Sequence, residues 1–346
     1  ENRVVLEIFP NGFSPEILTD IQDDAVSAGI RGIKNQWNID FSHTIGTNRL
    51  DYTVNNSNNA SLGIASPRTF YAGGFLYKQN TTNLDLARTF DWLQGVNMAF
   101  GAELRVENYQ IIAGEEASYV DGGSTYINDT GQELPRIPGA QVFPGFRPEN
   151  ELNRFRTNSA AYLDIEANIL EELLVKAAIR YESYNDFGGQ LVWKLSGRYK
   201  LSEDFIIRSG YATGFRAPSL HQVFFQNIST QFVGGESFQV GTFNNESAVV
   251  KEAFGVKNLK PELSSHLSLG FSGKLGEDLT FSADYYRINI EDRIVLSGRF
   301  SEGYESVLDP FGVGAAQFFT NAIDSRTSGV DISLEYRTDI AQGILT

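Results

Sequence analysis

The chain has 346 residues, with 28 Lys and Arg against 43 Asp and Glu, a formal net charge of −15. That acidity argues against a nucleic-acid binder, which needs a basic surface for phosphates. The absence of cysteine removes disulfides, thiolate metal sites and cysteine nucleophiles.

With 33 Gly, 15 Tyr and 25 Phe, the composition suits strands and turns better than helices. The opening "ENRVVLEIFP" lacks the basic and apolar regions of a signal peptide. No apolar run approaches the roughly 18 residues of a membrane helix. Barrel strands, which turn only every second side chain to lipid, are not excluded by that.

Strands are expected from near Asp23 onward, and the first clear ribbon is Met98, Phe100, Ala102, Leu104 and Val106, alternating with Glu103, Arg105 and Glu107. "AAYLDIEANILEELLVKAAIRY" (160–181) fits either one helix or two strands. Leu163, Ala167, Leu170 and Leu174 step by three and four, whereas Leu163, Ile165 and Ala167 step by two. Further on, only the period of two persists, in Leu191, Trp193 and Leu195, in Leu267, Leu269 and Phe271, and in Val330, Ile332 and Leu334.

Connections decide the ambiguous stretch. Short polar links at Asn35-Gln36, 91–95, Glu171-Glu172, 202–204 and 276–278 alternate with long stretches near 55–69, 111–156, 214–262 and 291–326. "YNDFGG" (184–189) is a short exception. In an up-and-down sheet, alternate connections share an edge, so one edge carries tight turns and the other large loops, as in an outer-membrane barrel. A helix at 160–181 would break that parity, so a hairpin is expected. Asp164, Glu166, Lys176 and Arg180 would then line the lumen, and Leu163, Ile165, Val175 and Ile179 would meet lipid. About eleven strands are expected up to Arg337, preceded by a further long loop near 1–22. A soluble sandwich, solenoid or small barrel also alternates, but its outward face is the polar one. Trp37, Phe90 and Trp92 near the short turns, and Tyr181, Tyr184, Tyr211 and Phe215 near the long loops, suit two interfacial girdles.

Catalytic signals are missing: there is no phosphate-cradling Gly loop, Ser elbow or zinc helix. No catalytic residue, metal site or cofactor is therefore expected. His43, His221 and His266 are read as structural. The oxygen-rich "NNSNNAS" (55–61) and "VDGGSTYINDTG" (120–131) match no calcium loop and are read as solvated.

"GFRAP" (214–218) and "NLKPE" (258–262), each where a strand meets a long loop, carry a resemblance. With "FGAELRVENYQI" (100–111), "FPGFRPENE" (143–151), "YRINIEDRIV" (286–295) and "SRTSGVDISLEYR" (325–337), they resemble the barrel of TonB-dependent outer-membrane receptors. The signature positions are Phe215, Arg216, Pro218, Asn258, Lys260, Pro261 and Glu262. The resemblance implies an all-β transmembrane antiparallel up-and-down β-barrel of about 22 strands, of which this chain, one barrel domain over 1–346, supplies about half without the N-terminal plug domain. It implies a non-enzymatic importer of a small scarce nutrient (a siderophore, cobalamin, saccharide or peptide) in the bacterial outer membrane. Its partners would be the lipid bilayer, TonB through a missing N-terminal segment, and a surface lipoprotein. Substrate contacts are expected from the loop residues Tyr126, Phe146, Arg147 and Arg216. A passive porin and a surface adhesin without transport are the alternatives.

Overall fold

The computed structural model describes residues 3–233, 236–340 and 343–345. Its strands, in chain order, are β1 (Glu16–Lys34), β2 (Trp37–Asn55), β3 (Phe70–Phe90), β4 (Val96–Ile112), the short β5 (Thr125–Ile127) and β6 (Glu133–Pro135), β7 (Leu152–Asn168), β8 (Leu173–Tyr184), β9 (Gly188–Lys200) and β10 (Phe205–Arg216). After the helix α1 (Leu220–Phe224) come β11 (Asn227–Val233), β12 (Glu236–Thr242), β13 (Glu262–Leu275), β14 (Leu279–Leu296), the helix α2 (Glu305–Leu308), β15 (Ala315–Gln317) and β16 (Phe319–Tyr336). Eleven of these form one antiparallel sheet in the order β1-β2-β3-β4-β7-β8-β9-β10-β13-β14-β16, so each wall strand pairs with its neighbour along the chain. The short strands before β16 lie inside the long connections, and two more, β17 (Thr338–Ile340) and β18 (Gly343–Leu345), pair with each other after it.

The stretch 160–181 is a hairpin. Leu163 pairs with Ile179 and Glu166 with Lys176 across β7 and β8, and the Lys176 ammonium forms an ion pair with the Glu166 carboxylate. Ala- and Leu-rich sequence enters a strand here because each residue gains a ladder partner on both sides, which outweighs weak intrinsic helix propensity. One boundary differs from expectation. β1 begins at Glu16 rather than near Asp23, so residues 16–22 of the anticipated loop at 1–22 are strand. Its polar, Asp-rich start hides no period of two, which is why sequence pattern missed it.

Parity sorts the side chains cleanly. Leu104, Ile179, Leu195, Leu269 and Ile332 share the outer face and stay uncovered, Leu104 at 62% and Ile332 at 71% exposure. An apolar area of that extent is not tolerated in water and calls for a lipid environment. Charged groups share the inner face, where Arg208 reaches across Gly270 to Asp284 with its Nε 2.9 Å from Oδ1. At the short-turn edge, Trp37 packs on Phe90 and Phe100 with ring centroids 5.9 and 5.4 Å apart, and Phe90 stacks on Trp92 at 4.6 Å. At the other end Trp193 meets Tyr211 at 5.3 Å. Tyr184 does not belong to that girdle. It is buried on the inner face, where its hydroxyl donates to Glu182 Oε2 at 2.9 Å.

The tightest turn is Asn35-Gln36, both residues at positive φ (51° and 68°), as a two-residue hairpin matching strand twist requires. Asn tolerates that region and Gln does not. In the full receptor, Gln36→Gly should be more stable than Gln36→Val by about 2 kcal/mol. Urea titration of both variants in phospholipid vesicles checks the order, and equal midpoints would remove the turn-strain argument.

Candidate functional site

Four long connections leave the same edge of the sheet and pack on one another. Their anchors are buried polar side chains rather than a large apolar core. Asn59 is fully buried: its Nδ2 donates to the carbonyls of Ala117 (2.9 Å) and Val120 (2.8 Å), and its Oδ1 accepts from the Ser61 hydroxyl at 2.7 Å. "NNSNNAS" is thus not a solvated loop; Ser57, Asn58, Asn59 and Ser61 are all inaccessible. Their amides and hydroxyls satisfy loop backbone that has no ladder partner. Asn245 plays the same part beyond β12. It accepts from Lys251 Nζ at 3.0 Å and donates to the Phe319 carbonyl at 3.1 Å. In 120–131, Asn128 Oδ1 accepts from the Gln132 amide at 2.8 Å and closes the β5–β6 turn.

Two cavities result. The outer one, a cleft of about 1120 Å³, lies between the loops and is bordered by Phe146, Arg147, Gln226, Asn227, Phe243 and Phe311. Phe311 is 45% exposed on its turn and meets Phe243 edge-on at 5.1 Å. The inner one, about 580 Å³, lies against the inner face and is bordered by Tyr77, Glu107, Arg156, Glu182, Tyr184 and Arg216.

Charges in the inner chamber are paired across neighbouring strands. Arg156, only 3% exposed, bonds Asp186 through Nε at 2.8 Å and stands 3.5 Å from the Glu107 carboxylate. Its guanidinium also lies 5.8 and 5.6 Å from the centroids of the Tyr184 and Phe187 rings, which stack on each other at 4.4 Å, within the range of cation–π attraction. The Tyr77 hydroxyl donates to Glu107 at 2.6 Å, and Arg180 ties Glu182 to Glu103 at 2.6 and 3.3 Å. Each of these buried or half-buried charges is thereby matched by a counter-charge.

The two signature segments meet directly. Arg216, last in β10, faces Glu262, first in β13, with Nη2 2.5 Å from Oε1. Glu262 is buried, and the same oxygen accepts the Ile294 amide at 2.8 Å. Lys260 pairs with Asp292 at 2.8 Å, and Asp292 occupies a bulge at φ 58°. Pro218 and Pro261 are buried, Asn258 is exposed, and Phe215 packs edge-on to Tyr184 at 6.1 Å. Of the expected ligand contacts, Phe146 and Arg147 border the cleft and Arg216 borders the chamber. Tyr126 sits apart on the β5–β6 ribbon under Arg136, 5.9 Å away.

Sequence reading took His221 as structural without saying where it packs. It is held on α1, where Ser219 and Gln222 form a capping box. Its Nδ1 is 2.8 Å from the Tyr109 hydroxyl and its ring stacks on Phe225 at 4.6 Å. The one available signal is its place four residues after Ala217 in a short apolar segment that cannot be a strand extension, because Pro218 lacks the amide.

This is half of an up-and-down barrel wall with its loops gathered on one edge, the architecture of a β-barrel outer-membrane receptor. Residues 9–346 match the family described as TonB dependent receptor-like, beta-barrel, and the chain belongs to it. The vitamin B12 transporter BtuB of Vibrio cholerae is 21% identical over 187 residues, 54% of this chain and 24% of that protein. The ferric enterobactin receptor PfeA of Pseudomonas aeruginosa superposes with a TM-score of 0.61 at 13% identity, covering 94% of this chain and 42% of that one. The RagAB peptide importer superposes at 0.57 with 8% identity, over 95% and 35%. The chain therefore spans about a quarter of the B12 transporter and less than half of these two structures.

Two predictions follow from the contacts. Glu262→Ala orphans the buried Ile294 amide and should cost about 2–3 kcal/mol, whereas Arg216→Ala, at a largely exposed guanidinium, should cost under about 1 kcal/mol. Denaturant titration of the full receptor separates them, and the reverse order would contradict the pairing described. Burial lowers the His221 pKa below its ordinary value of 6.5. The folded chain then binds a proton less readily than the unfolded chain. Stability is full above pH 6.5 and falls as pH drops through the lowered pKa, by at most about 1.4 kcal/mol per pH unit. His221→Gln should flatten that part of the stability–pH curve.

Proposed function

We propose that the full receptor imports a small scarce nutrient (a siderophore, cobalamin, saccharide or peptide) across the bacterial outer membrane, with TonB supplying the energy. The long connections face outward, the outer apolar face contacts lipid, and the cleft between the loops captures the ligand. The observation carrying this is the cleft itself. About 1120 Å³ of space is bordered by Phe146, Phe243 and Phe311 together with Arg147 and side-chain amides. Aromatic surface with a few convergent polar groups is the usual makeup of a small-ligand site. Phe146 and Arg147 are assigned as ligand contacts, and Arg216 is assigned as a strand-top brace to Glu262. Tyr126 is assigned no contact.

The alternative of a passive porin shares this wall and differs in energetics. The test compares a strain lacking the gene with strains carrying the receptor or its Arg147→Ala/Phe311→Ala variant. Uptake of ferric chelates, cobalamin, oligosaccharides and oligopeptides is measured with and without a protonophore. One compound should enter only with the receptor and an energised membrane, and its uptake should fall at least about tenfold in the variant, equivalent to ~1.4 kcal/mol. Uptake that survives the protonophore would establish the porin reading instead.

A further inference from the structure

On the outer face, apolar side chains give way to polar ones at one level across three neighbouring strands. Rising from the short turns, Leu267 on β13 is followed by Ser265, Tyr285 on β14 by Arg287 and Asn289, and Val330 on β16 by Ser328 and Arg326. The ladder places Leu267, Arg287 and Ser328 in one row and Ser265, Asn289 and Arg326 in the row above. Leu267 also pairs with Tyr211 of the loop-side girdle. At about 3.3 Å per residue and a strand tilt of about 40°, Arg287 stands roughly 20 Å above the foot of β14. That is close to the ~25 Å height of a barrel's apolar band. The two arginines therefore lie where hydrocarbon ends and headgroups begin.

Both arginines lean on a single neutral acceptor. Arg287 Nε donates to Asn289 Oδ1 at 3.4 Å and Arg326 Nε donates to the same oxygen at 3.1 Å, which sets the guanidiniums side by side. Asn289 Nδ2 in turn donates to the Ser265 hydroxyl at 3.1 Å, and the exposed Ser328 stands opposite Arg287. Among the described residues, no carboxylate forms an ion pair with either arginine, and Glu291, the next outward residue of β14, pairs with neither. Like charges at neighbouring ladder positions repel, and an Asn between them supplies no counter-charge. Acids are not scarce in this chain, with 43 Asp and Glu against 28 Lys and Arg. On the inner side of the same strands Arg208 has its Asp284. The outer pair is completed by an anion from outside the sheet.

We propose that Arg287 and Arg326 bind the phosphate of a membrane lipid, with Asn289 holding them together and the hydroxyls of Ser265 and Ser328 beside them. The lipid's acyl chains lie below, along the exposed Val330, Ile332 and Leu334. Guanidiniums suit this task because their planar forks match phosphate oxygens and stay charged at the membrane surface. Apolar surface directly beneath the cations selects a lipid over free phosphate, which gains nothing from it. The site concerns the wall and its solvent, so it is independent of which nutrient is carried and of which way the loops face.

Quenching by labelled lipids tests the site locally. These 346 residues contain no cysteine, so Val330→Cys, just below the arginines, can carry a bimane fluorophore once any cysteine elsewhere in the full receptor is replaced. The purified full receptor is reconstituted in phosphatidylcholine vesicles containing a small fraction of lipid with a nitroxide on its acyl chain. The nitroxide lipid is either phosphatidic acid, which exposes its phosphate, or phosphatidylcholine. Phosphatidic acid should reach half-quenching at a mole fraction lower by about tenfold. Arg287→Gln/Arg326→Gln should bring the two lipids level, as should Asn289→Asp, which keeps both arginines and adds a counter-charge. Unchanged quenching by phosphatidylcholine in these variants shows that the wall is still folded in lipid. Lys194→Gln/Arg198→Gln, which removes two cations from the inner face, should leave the preference intact. Equal quenching by the two lipids in the unsubstituted receptor would overturn the proposal, as would a preference that survives loss of both arginines. A preference abolished by excess inorganic phosphate would assign the site to free phosphate and overturn the lipid.

Discussion

Backbone pairing is the constraint on which the rest depends. A strand in hydrocarbon has no water to satisfy its N–H and C=O groups, so every wall strand must be laddered on both sides. Nine of the eleven wall strands here have both partners, while β1 and β16 form the edges of the sheet. Those two edges require strands beyond this sheet, in keeping with relatives that are two to four times longer than the matched portion. The same constraint explains why residues of every propensity are recruited into strands, including the Ala- and Leu-rich 160–181.

Once the ladder is fixed, alternation divides the labour. The outer side chains face lipid and need only be apolar. The inner side chains must neutralise one another, and they do so between adjacent strands, as in Lys176 with Glu166, along one strand, as in Arg180 with Glu182, and across an intervening strand, as in Arg180 with Glu103 and Arg208 with Asp284. Above the ladder neither device is available. Buried amides such as Asn59 and Asn245 take over there, each replacing several missing backbone partners at once. These knots tie the long connections in pairs, Asn59 joining 55–69 to 111–156 and Asn245 joining 214–262 to the start of β16.

Much of this was legible in the residues. The eleven-stranded sheet, the 160–181 hairpin and the sorting of short and long connections follow from a period of two and from where Gly and Asn accumulate. β1 was placed late because "EILTDIQDD" (16–24) mixes apolar and acidic residues without a clean alternation at that end. The signature segments located Arg216 and Glu262 correctly at strand ends, yet only geometry shows that they brace each other. Loop function was the least readable. A run of Asn and Ser looks solvated whether it is exposed or, as at 57–61, sealed away. His221 carries no sign in sequence that it will land beside Tyr109, 112 residues earlier in the chain.

The central claim is that one face of the eleven-stranded sheet meets lipid while the other lines an aqueous lumen, and β4 offers the most direct measurement. Spin labels placed singly at each position from 100 to 107, in the full receptor reconstituted in liposomes, report collision with oxygen, which dissolves in lipid, and with a water-soluble nickel chelate. Oxygen access should peak at Phe100, Ala102, Leu104 and Val106, and nickel access at Gly101, Glu103, Arg105 and Glu107. A profile without that period, or one in opposite phase, would contradict the account.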